Sequence, residues 1–405
     1  MMWRVGANQG KGHAMNPGMK EGSMTVKKMR ETYKRASWKE KKEMLCHLEK
    51  EHGYNRQYAS RLLLGKEERK EGEERRGRKA VYAGLRGTVK QLWQLYDYIC
   101  SKRLVPVMRE AVRKLEAFGE MKLDKETKGK LLGMSARTMD RLLARDRKAL
   151  TLRSKARTRP GTLLKHQVPV KTHREWKDTE PGFVQVDCVG HDGGNAGGDF
   201  NQTVDVTDVA TGWTETQAVK NKAQVWVFEA LKEIRAQLPF PMKGLHSDSG
   251  GEFINNQLFR YCKAGKITFT RSRPGRKNDN PHVEQKNWSV VRRAVGYGRY
   301  EDDERLLNAL YRVLRLYTNF FMPVMKCVGK TRHGSRVTRH YDTAKTPYHR
   351  VLESACVCHD DKARLRATYA TLNPVALKRQ IARLQGRLVS RAARHGTPMV
   401  LAEVA

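Results

Sequence analysis

The chain has 405 residues, with 80 Lys and Arg against 43 Asp and Glu, so its formal charge is +37. That excess runs along the whole chain, and a polyanion lying across several domains explains it better than one basic arm does. The length suits two to four domains at roughly 100–200 residues each; no apolar run approaches the roughly 18 residues that span a bilayer, and the N-terminus lacks the apolar stretch of a secretory signal.

No strongly amphipathic basic helix with an exposed aromatic face favours a membrane surface over nucleic acid. The seven cysteines are scattered and odd in number, which suits a reducing, intracellular setting. Cys356-Val-Cys358-His359 has no second pair at zinc spacing and reads as structural.

Residues 1–24, polar and rich in Gly and Met, read as a disordered leader, with Met24 as an alternative start. Residues 25–78 read as a first helix-turn-helix domain. Ser37 and Glu40 form a capping box, the helix runs to about His52, and Gly53 ends it. Asn55 caps a short helix, Arg56 to Leu64, whose exposed face carries Arg56, Gln57, Ser60 and Arg61. Glu67 to Lys79 is a charged linker.

Residues 79–150 read as a second helix-turn-helix domain. Helical stretches cover about Thr88–Ile99, Val105–Gly119 and Lys125–Leu132, and Ser135 caps Ala136–Arg145. Arg137, Arg141 and Arg145 fall on one face at four-residue spacing. Either unit alone reads equally well as a helical hairpin with a solvated basic face, whereas two in tandem favour DNA binding. Residues 151–170 are a basic linker broken at Pro160-Gly161.

From 171 to 300 the pattern changes to α/β. Strands are expected at Phe183–Asp187, Thr203–Thr207, Trp213–Val219, Gly244–Ser247 and Ile267–Thr270. Helices are expected at Lys222–Gln237, at Asn255–Lys263, and from Pro281, capped by Asn280, to about Val295. Residues 301–405 begin with a helix, Asp303–Phe321. A basic stretch with short β-like pieces follows, Lys326–Lys345, and the chain is mainly helical from Asp360; this C-terminal region is expected to bind DNA or to mediate assembly. The fold class is therefore multidomain: an all-α N-terminal region, a central α/β domain, and a basic C-terminal region of short strands and helices.

Three carboxylates sit where separate elements can bring them together. Asp187 ends the first strand, Asp248 ends the fourth, and Glu284 lies one turn into the helix capped by Asn280. Two-metal phosphodiester chemistry needs convergent carboxylates, and magnesium prefers oxygen ligands. Taken singly, each has an ordinary explanation, as a turn residue at a strand end or an acid favoured by a helix dipole. Asp205, Asp208 and Asp279 are nearby acids of the same kind.

The segments Val-Gln-Val-Asp187, His246-Ser-Asp248-Ser-Gly-Gly-Glu-Phe253 and Asn278 to Glu284, with 35 residues between Asp248 and Glu284, carry a family resemblance. In them the chain resembles the DDE transposases and retroviral-type integrases, especially bacterial insertion-sequence transposases with an integrase-like catalytic core. The resemblance covers about Lys165 to Val295 and departs at Ser249, where many members have Asn. It implies an RNase H-like fold and Asp187, Asp248 and Glu284 as catalytic, metal-holding residues. It also implies two magnesium or manganese ions per active site, double-stranded DNA as partner, and a homo-oligomer of at least two copies on DNA ends. The setting implied is the bacterial cytoplasm, at the nucleoid.

Basic residues of the helix after Glu284 meet the DNA end in that family. Lys286, Asn287, Arg292 and Arg293 are the candidates here, with Arg271, Arg273, Arg276 and Lys277 in or beside the loop before it. His191, His246 and His282 lie near the carboxylates in sequence, but they are not counted as metal ligands. The expected activity is nicking of a mobile element's ends and joining of the 3′-hydroxyls to target DNA. A DNA-binding regulator with an inactive core, and an RNase H-like nuclease that cuts without joining, are the alternatives.

Overall fold

The computed structural model describes residues 28–65, 81–148, 180–273 and 279–394. The expected leader and both expected linkers lie outside these residues. The chain divides into two compact units, Met1–Ala80 and Val81–Ala405.

In the first unit, helix α1 (28–35) precedes α2 (Trp38–His52) and α3 (Arg56–Leu63). The start of α2 is fixed by the expected capping box, in which the Ser37 N–H donates to the Glu40 carboxylate at 2.7 Å. Gly53 ends α2 at φ 64°, a conformation open to glycine without strain. Asn55 accepts from the Gln57 N–H at 2.9 Å and starts α3. Tyr33, Leu45, Leu48, Ala59 and Leu63 make a small core.

The second unit opens with α4 (Arg86–Leu95), α5 (Ser101–Ala117), α6 (Lys125–Leu132), α7 (Ala136–Leu142) and α8 (Ala144–Lys148). The expected helix through Arg145 is thus broken at Leu143. There follow β1 (Phe183–Gly190), β2 (Gln202–Asp208), β3 (Thr214–Val219), α9 (Gln224–Gln237), β4 (Gly244–Ser247), α10 (Asn256–Ala264) and β5 (Thr268–Arg271). Helix α11 (Pro281–Lys286) passes through a π-helical turn (Asn287–Arg292) into α12 (Arg293–Val295). The chain closes with α13 (Glu304–Phe321), a hairpin of β6 (Cys327–His333) and β7 (Arg336–Tyr341), α14 (Pro347–Glu353), α15 (His359–Thr371) and α16 (Pro374–Arg394). No described helix is long and apolar enough to cross a membrane.

Five strands form one sheet in the order β3-β2-β1-β4-β5. β1, β2 and β3 are antiparallel, while β4 runs parallel to β1 and β5 parallel to β4. This is the α/β core that the strand pattern predicts, and its start is antiparallel. Strand alternation splits its faces. Val184, Val186, Val204 and Val206 pack with Val227, Leu231 and Ile234 of α9 and Leu258 of α10. The opposite face carries Gln185, Asp187, Thr203, Asp205 and Thr207, paired across β1 and β2.

α11 and α13 meet that polar face. Asn308 and Asn319 of α13 each use both ends of the amide on β3: Asn308 bonds the N–H and C=O of Ala218 at 2.7 and 2.9 Å, and Asn319 those of Thr214 at 2.9 and 2.8 Å. Outer-edge backbone groups that another strand would pair are thereby satisfied, and the sheet ends at β3. A large core behind α13 joins Leu92, Trp93, Leu104, Met108 and Met139 of α4, α5 and α7 to Leu310, Tyr311 and Tyr317, and to Leu388 of α16.

Glu215 of β3 is buried, and Arg315 of α13 grips it through Nε and a terminal nitrogen at 2.6 and 2.7 Å, while Trp213 Nε1 donates at 2.8 Å. Removing one partner of such a pair strands the other charge. Arg315→Ala is therefore expected to lower unfolding stability by about 3–5 kcal/mol in urea titrations. Breaking the exposed Lys34–Glu31 pair should cost under about 1 kcal/mol.

Candidate active site

β1 delivers Asp187 to the polar face, directly opposite Asp205 on β2. Its carboxylate accepts from the Cys188 N–H at 2.8 Å and from Asn287 Nδ2 at 2.7 Å. Asp248 follows the end of β4, the strand beside β1, and accepts from the Gly250 N–H at 2.9 Å. Burial, then the charge of Asp248, push Asp187 up to about 7; the Asn287 and Cys188 bonds oppose this, and Glu284 adds a smaller repulsion. Burial also raises Asp248, against the Gly250 N–H and the charge of Lys222. Glu284 stands exposed in the first turn of α11.

Glu252 belongs to the same neighbourhood. Burial and repulsion from Asp248 raise its pKa, and Lys222 opposes them. The Glu252 carboxyl folds back over Gly250, where a Cβ would fall 2.6 Å from it and would displace the flexible Glu252 side chain. Beneath Asp187, the wholly buried Asp205 is held well above the carboxylate range by burial, opposed by Lys286. Lys286 is itself buried and pushed down to about 8 by burial and by Arg103, with Asp205 acting the other way.

Among the described residues, no group of three or more His, Cys, Asp or Glu is gathered tightly enough to hold a metal ion. The chemistry of the donors nonetheless suits a hard divalent cation. Asp187 and Asp248 offer only oxygen, and a cation between them would offset the burial and the mutual repulsion that raise Asp187. Glu284 is the exposed donor of the three. His191 and His246 are buried against the Thr203 and Thr270 hydroxyls, at 2.7 and 2.8 Å.

Several expected DNA contacts take other roles. Lys286 and Arg271 are buried, so the expectation that they meet phosphates is corrected. Asn287 faces Asp187 rather than outward. Arg273 grips the buried Asp279 through two bonds of 2.8 Å. Arg292 donates to the Gly190 and Gly296 carbonyls at 2.7 and 3.3 Å, and Arg293 to the Asp97 carbonyl at 2.9 Å. Arg276 and Lys277 lie outside the described residues. Arg56 is exposed but pairs with Glu49 at 3.3 Å. Gln57, Arg61, Arg137, Arg141 and Arg145 are exposed, and Ser60 is half-buried.

Gln185 was not singled out from the sequence. Its amide oxygen accepts from the His282 and Val283 N–H groups at 2.8 and 3.2 Å, so it caps α11 from across the sheet. Its spacing of two from Asp187 puts both on one face of β1 and was the available signal.

Between the ordinary carboxyl value of about 4 and about 7, the folded chain keeps a proton on Asp187 that the unfolded chain has released. Stability contributed by this group therefore falls as pH rises through that window. Asp187→Asn should flatten the decline: urea midpoints of parent and variant, taken at both ends of the window without divalent metal, should differ more at the upper end. Parallel pH profiles would contradict the raised value.

No family model matches the chain. The "Uncharacterized protein y4rM" of Sinorhizobium fredii is 40% identical over 300 residues, covering 73% of this chain and 85% of that protein. Among solved structures, the catalytic core domain of BIV integrase is similar at 20% identity and a TM-score of 0.29, over 42% of this chain and 94% of that one. The HTLV-2 integrase catalytic core domain in complex with magnesium, in its dimeric form, is similar at 13% identity and a TM-score of 0.27, over 36% and 91%.

Proposed function

The chain belongs to one family with the Sinorhizobium fredii protein y4rM, and because that name carries no activity, we propose from the site itself that this is a DDE-type DNA transposase or integrase. The carrying observation is the meeting of two carboxylates from adjacent strands, Asp187 within β1 and Asp248 just past β4, beside the helix that bears Glu284. The +37 charge of the chain supplies the affinity for DNA.

Asp187, Asp248 and Glu284 would hold two magnesium or manganese ions, which supply activation of the attacking oxygen and stabilisation of the leaving oxygen. Asn287 orients one oxygen of Asp187, and the Gly250 N–H orients one of Asp248. Lys222 tempers the negative charge shared by Asp248 and Glu252. A water oxygen attacks a phosphodiester at the element's end, and the bond that breaks frees a 3′-hydroxyl. That hydroxyl attacks a target phosphodiester, one P–O bond replaces another, and no ATP is needed.

In this reading the sheet and its helices form an RNase H-like core. Residues 25–78 and 79–150 read the element's ends, with Gln57, Arg61, Arg137, Arg141 and Arg145 among the exposed candidates. Cutting two ends in concert calls for at least a dimer on DNA, acting at the bacterial nucleoid.

The test uses labelled duplexes carrying the element's ends, a plasmid target, and magnesium or manganese. Asp248→Asn should bind the ends as the parent does. It should lose nicking and joining by more than about 100-fold, since removing even a group that only hydrogen-bonds a metal ligand can cost up to about that much. Binding by both proteins with no cutting by either would point to a DNA-binding regulator, and metal-dependent cutting without joining to a nuclease.

A further inference from the structure

The β6–β7 hairpin is unlike the rest of the second unit. Its residues are exposed on both faces except Gly329, which is half-buried. A two-stranded ribbon without a buried face is at best marginally stable in water. Its charges make matters worse. Lys330 stands directly opposite Arg339, and like charges in such pairs repel.

The root of the ribbon contrasts with its body. Val324 and Lys345 exchange backbone bonds of 2.9 and 3.1 Å. Asp342 accepts from the Lys326 N–H at 2.7 Å and pairs with Arg350 at 2.8 Å. Lys326 Nζ donates to the Ala210 carbonyl at 2.6 Å, and Lys345 pairs with Glu353 at 2.8 Å. Cations at the root are thus all engaged, and they fix the ribbon on the β2–β3 turn and α14. Beyond it, Arg332, Arg336 and Arg339 have no ion-pair partner among the described residues. Alternation puts Arg332 and Arg339 on one face with the exposed Val337, and Arg336 on the other with Thr331 and Thr338.

We propose that the β6–β7 ribbon is a docking element for duplex DNA, entering the major groove with its arginines on the flanking phosphates. The groove of B-form DNA is wide enough for a two-stranded ribbon. At about 3.3 Å per residue the strands run roughly 20 Å, enough to cross it. Phosphates on either side would supply the counter-charge that Arg332, Arg336 and Arg339 lack among the described residues. The inference deepens the cut-and-join reading by naming a surface for its DNA.

Full-length parent, an Arg332→Ala/Arg336→Ala/Arg339→Ala variant, and the same three positions changed to Lys are titrated with a duplex of arbitrary sequence over a range of salt. Each phosphate that the alanine variant leaves unneutralised should make the slope of log affinity against log salt shallower by about 0.9, up to roughly 3 in all. The lysine variant should keep the parent slope, which separates loss of charge from loss of the hairpin. Unchanged slope and affinity in the alanine variant overturn the proposal. So does a loss confined to anionic lipid vesicles or single-stranded RNA. Metal-dependent nicking by the parent is followed alongside: a shallower slope without nicking keeps the ribbon and removes the cut-and-join reading, and nicking with unchanged slope does the reverse.

Discussion

Two N–H groups in the first turn of α11 need acceptors, and the amide oxygen of Gln185 supplies both, at 2.8 and 3.2 Å. A helix start buried against a sheet cannot rely on water for this. The bond pins α11 to β1, two residues from Asp187. Glu284 and Asn287 ride on the pinned helix, and Asn287 closes the link by donating to Asp187 at 2.7 Å. Asn280, which sequence alone makes the cap, instead donates its amide to the Val186 carbonyl at 3.2 Å, a second tie to the same strand.

The site is built against a desolvation penalty. Asp187, Asp205 and Asp248 are carboxyls held out of water, and burial is the first cause of the raised pKa in each. Compensation comes from elements distant in sequence: Lys286 acts on Asp205, Lys222 on Asp248, and Asn287 on Asp187. The rigidity that holds them owes much to α13, whose Asn308 and Asn319 finish the edge of β3.

Charge in this chain has two uses that composition does not separate. Arg273, Arg292, Arg293 and Arg315 are bound to Asp279, to carbonyls, and to Glu215. They hold loops and helices in place, as an arginine's fork of donors allows. Arg56, Arg61, Arg137, Arg141, Arg145 and the arginines of the β6–β7 ribbon are exposed. Of these, among the described residues, only Arg56 is held by a carboxylate at an ion-pair distance, Glu49 at 3.3 Å.

What the sequence determined was local. Capping chemistry set the ends of α2 and α3, and Lys125–Leu132 formed as read, because such signals act within a turn of the chain. Period-two alternation located all five strands and put Asp248 just past the end of β4, whereas Asp187, expected to end the first strand, lies inside β1, because pairing with β2 carries that strand on to Gly190. Helix α14 is legible in the same way, since Thr346 caps it and Pro347 opens it. Only the tertiary structure decided the rest. The π-helical turn at Asn287–Arg292, the burial of Lys286 and Arg271, and the cap from Gln185 all depend on which face of α11 meets the sheet. No local signal encodes that choice, because it is made by polar groups about a hundred residues apart finding one another in a space closed to water.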